Sequence, residues 1–164
     1  MARINHKQKD GFSGIPRHII EHPSFKSLSY SASKLLILLG YQYRGNNNGN
    51  LVITWSLMKG WFGSNTTMFK ARDCLYEAGF IVINAYGGRS GNGTKLPHLY
   101  ALTWAPIDPL KGDSNWMRYT HYAAKKAPLS YWKSGVNPDV KTKEERDSQF
   151  KKDIKKINKT STSY

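Results

Sequence analysis

The stretch from Phe62 to Ile81, FGSNTTMFKARDCLYEAGFI, constrains this chain more than any other. Ser64 follows a glycine and is placed to cap a helix, because its hydroxyl can accept from one of the free amides of the first turn. At about 100° per residue, Met68, Ala71, Leu75 and Ala78 then share one face. Thr66, Phe69, Lys70, Asp73 and Glu77 lie opposite, and Arg72 and Cys74 flank the stripe. Asn65 and Thr67 are exposed by their place in the first turn. Gly79 ends the helix, and FIVINAY opens a strand with β-branched and aromatic residues. One face of this helix belongs to a core, and the other is polar and free.

The preceding elements supply what that face rests on. SYSASKLLILLGYQYRG predicts a central helix, capped by Ser29 or Ser31, with Ala32, Leu35, Leu36, Leu39 and Tyr43 at helical spacing. Pro16 and Pro23 limit GIPRHIIEHPSFKSL to a helical turn or two. GNNNGN reads as a turn whose glycines tolerate positive φ and whose asparagines have nothing to bury. LVIT is a short strand, and WSLMKGWFG a short helix opening at Thr54 or Ser56. HLYALTW returns as a strand with Tyr100, Leu102 and Trp104 on one face, forming a hairpin with FIVINAY. The hairpin tip, GGRSGNGTKLP, reads as a flexible basic loop.

Pro106 and Pro109 cannot continue a sheet ladder, so the compact unit is expected to close near residue 108. The expected organisation is a flexible arm at 1–14, a domain at 15–108, an aromatic and basic extension at 109–140, and a basic tail, helical or disordered, at 141–164. In the extension Trp116, Tyr119, Tyr122, Tyr131 and Trp132 interleave with Arg118, Lys125, Lys126 and Lys133. Such residues can stack on bases and grip phosphates, or pack back onto the domain as a lid.

Charge narrows the partners. Lysine and arginine number 25 against 11 acids, a formal net charge of +14. An excess of this size concentrates polyanions around the molecule, which makes nucleic acid the leading partner. The segment 29–104, which holds most of the apolar residues, is itself basic. Cys74 is the single cysteine, which excludes an intrachain disulfide and fits a reducing cytoplasm. The polar start and the shortness of every apolar run point to a cytoplasmic protein with no membrane association.

Catalytic readings are weak. His18-Ile-Ile-Glu21-His22 matches the H-x-x-E-H pattern of inverted zinc peptidases, but Pro23 interrupts the helix that would carry it. GGRSGNGTK resembles a phosphate-binding loop, but Thr94 precedes Lys95 and Pro97 leads into a strand rather than a helix. No nucleophile, base and acid share a local pattern, so the chain reads as a non-enzyme without metal or cofactor.

The order of helix, strand, helix, turn, helix and hairpin, with FGSNTT, the A-R-x-x-L-x-x-A-G-F-I run and the glycine-rich tip, resembles the winged helix-turn-helix domains of bacteriophage and mobile-element replication or regulatory proteins. The resemblance covers 49–104, and reaches back to Ser29 if the central helix is included. It implies an α+β fold, a three-helix core with a β-hairpin wing. It also implies sequence-specific binding of double-stranded DNA, in replication initiation or transcriptional regulation. Asn65, Thr66, Thr67, Phe69, Lys70 and Arg72 would then face DNA from the helix, and Arg89 and Lys95 from the wing. Dimeric binding is a further implication, and a protein partner could engage the extension. The alternatives are an ordinary amphipathic helix in an unrelated α+β domain, and a winged helix serving as a protein-docking module, for instance a phage-encoded inhibitor or adaptor.

Overall fold

Two short helices, α1 (Arg17–Ile20) and α2 (Pro23–Lys26), open the computed structural model, which describes residues 13–89, 93–110 and 122–140. The expected arm at 1–14, except for its last two residues, and the tail at 141–164 lie outside the described residues, as do Trp116, Arg118 and Tyr119. The break between α1 and α2 falls where Pro23 begins the second helix, and His22 caps it by accepting from the Ser24 amide at 3.2 Å.

The central helix α3 (Tyr30–Gln42) starts at Ser29, whose hydroxyl accepts from the Ala32 amide at 3.2 Å. It buries Ala32, Leu35, Leu36, Leu38 and Leu39. The turn from Gly45 to Gly49 leads into β1 (Leu51–Val52), and a one-turn helix α4 (Trp55–Met58) follows. Helix α5 (Asn65–Glu77) begins at Ser64, which accepts from the Thr67 amide at 3.1 Å. Its buried residues Met68, Ala71 and Leu75 pack against α3 in the main core. The chain then turns sharply at Gly79, with φ +75°, a conformation that side chains with a Cβ rarely adopt.

The sheet is small, antiparallel and built around its last strand. β2 (Ile81–Ala85) leads through the tip ladder of β3 (Gly88–Arg89) and β4 (Lys95–Leu96) to β5 (Leu99–Leu102). β5 lies in the middle, with β1 and β2 on its two sides. The base of the tip is therefore ordered, with Gly88 opposite Leu96 and Arg89 opposite Lys95, where the sequence suggested a flexible loop throughout. The architecture is α+β.

Three expectations need correction. Tyr100 and Leu102 do share the main-core side with Trp104 packed there, as expected, but the strand at HLYALTW stops at Leu102 and all four residues of β5 are buried. The reason is a second apolar cluster on the far side of the sheet, where Val82, Ala101 and Ile107 are covered by Tyr122, Leu129 and Tyr131. The compact unit consequently does not close at 108. Ile107 and Lys125 exchange backbone hydrogen bonds, and Trp132, in a 3₁₀ turn at Tyr131–Lys133, is 3 % exposed in the main core. Adding a Cβ at Gly79 would bring it within 2.8 Å of the Tyr131 carbonyl carbon, so this glycine also makes room for the returning chain.

The third correction concerns the asparagines. Asn48 is fully buried: its Nδ2 donates to the carbonyls of Leu102, Ala105 and Pro106, and its Oδ1 accepts from the Leu102 amide at 2.7 Å. One side chain thus satisfies the backbone where the chain leaves β5. This matters because unpaired buried polar groups cost about 1–3 kcal/mol each.

Candidate functional site

A groove of about 610 Å³ runs between helix α5, the start of α4 and the hairpin tip. Phe69 and Arg72 line it from the helix, Trp55 from α4, and Gly87, Gly88, Arg89, Lys95, Leu96 and Pro97 from the hairpin. The helix wall exists because Phe69 and Arg72 flank the buried stripe of α5 on the side facing the hairpin. The two tip strands are joined to each other by the short ladder that sets Arg89 opposite Lys95.

The aromatic and cationic groups are already organised. Phe69 and Trp55 are 37 % and 36 % exposed. The Arg72 guanidinium lies 4.8 Å over the Phe69 ring centroid. It also donates through Nε and a terminal nitrogen to Asp73 Oδ1, at 2.8 and 2.6 Å. Burial would lower the Arg72 pKa, but the bonds to Asp73 and the nearby Tyr100 raise it above its ordinary value. Arg72 is thus a charged but partly neutralised group. Arg89 and Lys95 are exposed, and among the described residues neither they nor Lys70 has a carboxylate partner.

His98 stiffens the tip from below. Its Nδ1 accepts from the Gly87 amide at 2.9 Å, an arrangement that requires the neutral ring with its proton on Nε2. The ring meets Tyr86 and Tyr100 edge-on, with centroids 5.7 and 6.4 Å away. Partial burial and the Arg72 charge both lower the His98 pKa.

Of the residues expected to form a site, Phe69, Arg72, Arg89 and Lys95 come together around the groove. Asn65, Thr66, Thr67 and Lys70 are exposed on α5 but do not line it. The Thr67 hydroxyl is engaged with the cap, 3.0 Å from Ser64 Oγ, and Thr66 donates weakly to Asn65 Oδ1 at 3.4 Å. Sequence reasoning missed Trp55 and His98. No local signal marks them, because the first reads as the opening residue of a short helix and the second as part of a strand.

A second hollow, of about 520 Å³, shares Arg72, His98 and Tyr100 with the first but is otherwise lined by Asp73, Glu77, Asp139, two tyrosines, Ile83 and Val140. Burial, with nearby Tyr86 and Asp139, pushes the Tyr76 hydroxyl there up to about 12. Tyr122 hydrogen-bonds to the Asp139 carboxylate on the same segment. This lining is acidic and suits no phosphate.

The His18 and His22 rings both pack on Trp132, with centroids 5.6 and 5.1 Å away. Among the described residues no three His, Cys, Asp or Glu side chains are grouped as a metal site. None of the described helices is long and apolar enough to cross a membrane. No protein-family model, curated protein or solved structure matches the chain. What it does must be read from its own geometry.

Proposed function

We propose that the chain is a winged helix-turn-helix protein that binds double-stranded DNA sequence-specifically, in replication initiation or transcriptional control of a phage or mobile element. The observation that carries this reading is the placement of Arg89 and Lys95, without carboxylate partners among the described residues, beside an α5 whose exposed side presents Asn65, Thr66 and Lys70. A helix held by α3 on one face can enter a major groove with the other, where asparagine pairs with adenine edges and threonine touches thymine methyl groups. Lys70, Arg89 and Lys95 then neutralise phosphates on either side. The apolar stripe of α5 carries no part of this role; it fixes the angle at which the polar face is offered.

Selection of bound duplexes from a random pool tests the reading. An enriched motif is expected, with affinity falling steeply as salt rises, because each neutralised phosphate releases counterions. No enrichment together with a flat salt response defeats it.

One observation favours a second reading, in which the domain docks a protein. Tyr30, Ile37 and Tyr41 are 97 %, 55 % and 72 % exposed along one side of α3, at helical spacing. An aromatic and aliphatic stripe of this kind suits a protein interface better than a phosphate backbone. Capture of a partner from lysate that survives nuclease treatment would favour it.

A further inference from the structure

We propose that the groove between α5 and the hairpin tip receives one unpaired nucleotide, so that the protein prefers DNA carrying an extrahelical or unpaired base over an uninterrupted duplex. This rests on the DNA-binding reading above and extends it to a site that duplex recognition does not use. A duplex presents base edges and phosphates to a protein, while the flat faces of its bases are stacked on one another. The groove is built for a flat face. Trp55 and Phe69, each over a third exposed, line it together with the apolar Leu96 and Pro97 of the hairpin. The Arg72 guanidinium, 4.8 Å over the Phe69 ring and hydrogen-bonded to Asp73, adds a second planar group to the wall.

Charge selects the class of ligand. Arg89 and Lys95 line the same groove from the hairpin, exposed and without carboxylate partners among the described residues. A ligand that fits both features carries an aromatic plane at one end and an anion at the other, as a nucleotide does. Aromatic planes bordered by cations bind single-stranded nucleic acid through stacking and phosphate contacts, with little dependence on base identity. The neighbouring hollow has similar volume and several tyrosines, but Asp73, Glu77 and Asp139 line it, so it repels the same ligand.

The test compares the full chain on two duplexes of one sequence, one perfectly paired and one with a single extra thymidine bulged from its centre. Fluorescence anisotropy at fixed salt gives both affinities, and their ratio is the readout. The bulged duplex is expected to bind about tenfold more tightly, the effect of stacking one base. Phe69→Ala and, separately, Trp55→Ala should bring the ratio close to one, while Phe69→Tyr keeps it. Both side chains are over a third exposed, and a thermal melt of each variant checks that it is folded. Equal affinity of the native protein for the two duplexes would overturn the proposal, as would a ratio that survives both alanine variants. Tight binding of the bulged duplex with none of the paired one would support the nucleotide site and reject the duplex reading. Binding of neither would reject both.

Discussion

The two hollows beside α5 share Arg72, His98 and Tyr100, lie against the same hairpin, and yet differ in character. The one toward the tip adds Arg89, Lys95, Phe69 and Trp55. The one toward the returning chain adds Glu77, Asp139 and tyrosines. Composition gives the whole chain a strong positive charge, but ligand choice is decided by which side chains converge on a cavity. Arg72 illustrates the point: its charge is turned toward Asp73 at the boundary of the two, so neither hollow holds it free.

Charge reversal is the largest expected break in this comparison. Arg89→Glu with Lys95→Glu should weaken duplex binding on the order of a thousandfold near 0.1 M salt, since two phosphate contacts become repulsions. Glu77→Gln in the acidic hollow should change affinity less than about twofold, in a titration run alongside. If the second variant matched the first, the two hollows would not differ in function.

Next in size is Trp132→Ala. The indole fills the main core and pins the segment that brings Asp139 to the acidic hollow, so truncation should lower stability by about 3 kcal/mol in a denaturant melt. Affinity for DNA per folded molecule should hold, because Trp132 lies outside the tip groove. A loss of binding in fully folded variant would couple the two regions.

Smaller effects separate base reading from backbone grip. Thr66→Ala should cost about 1 kcal/mol on the selected motif and relax the choice at one position, whereas Arg89→Ala should weaken all sequences alike and reduce the salt slope by about one. A quantitative comparison of motif and scrambled duplexes distinguishes these outcomes. The opposite assignment would move base reading to the tip.

The smallest effect is a pH dependence of the tip. His98 has its pKa lowered from 6.5 by partial burial and then by Arg72, so the folded state favours the neutral ring. Its contribution is therefore complete above the unfolded value and is lost as pH falls through the lower folded one. The imidazole proton resonances should titrate with a midpoint below 6.5, and the Gly87 amide should lose protection from exchange over the same range. A midpoint above 6.5 would place His98 nearer an acid than a base.

Much of the helical framework was legible in the residues. Ser29 and Ser64 cap the helices they precede, and the stripes of α3 and α5 are buried as their spacing predicts except for their last members, Tyr43 and Ala78, which are half-buried at the C-caps. Helix boundaries depend on neighbours a turn away, which a sequence displays directly. The burial of Asn48 was not legible, because its acceptors lie 54, 57 and 58 residues along the chain. Nor was the far face of the sheet, which looks half-polar until Tyr122, Leu129 and Tyr131 return to cover it. Of the site, Phe69, Arg72, Arg89 and Lys95 were named from the residues, and Trp55 and His98 were not.

By itself the sequence determined two capped amphipathic helices, a glycine exit into a hairpin and a strongly basic surface, since each follows from adjacent residues or from composition. Only the tertiary structure decided that the chain beyond residue 108 completes the core, and that one face of α5 meets the hairpin tip in a cationic, aromatic groove. The physical reason is range. Caps and stripes are set by forces acting within a turn, while a cavity and its charge exist only after segments far apart in the chain have excluded water between them.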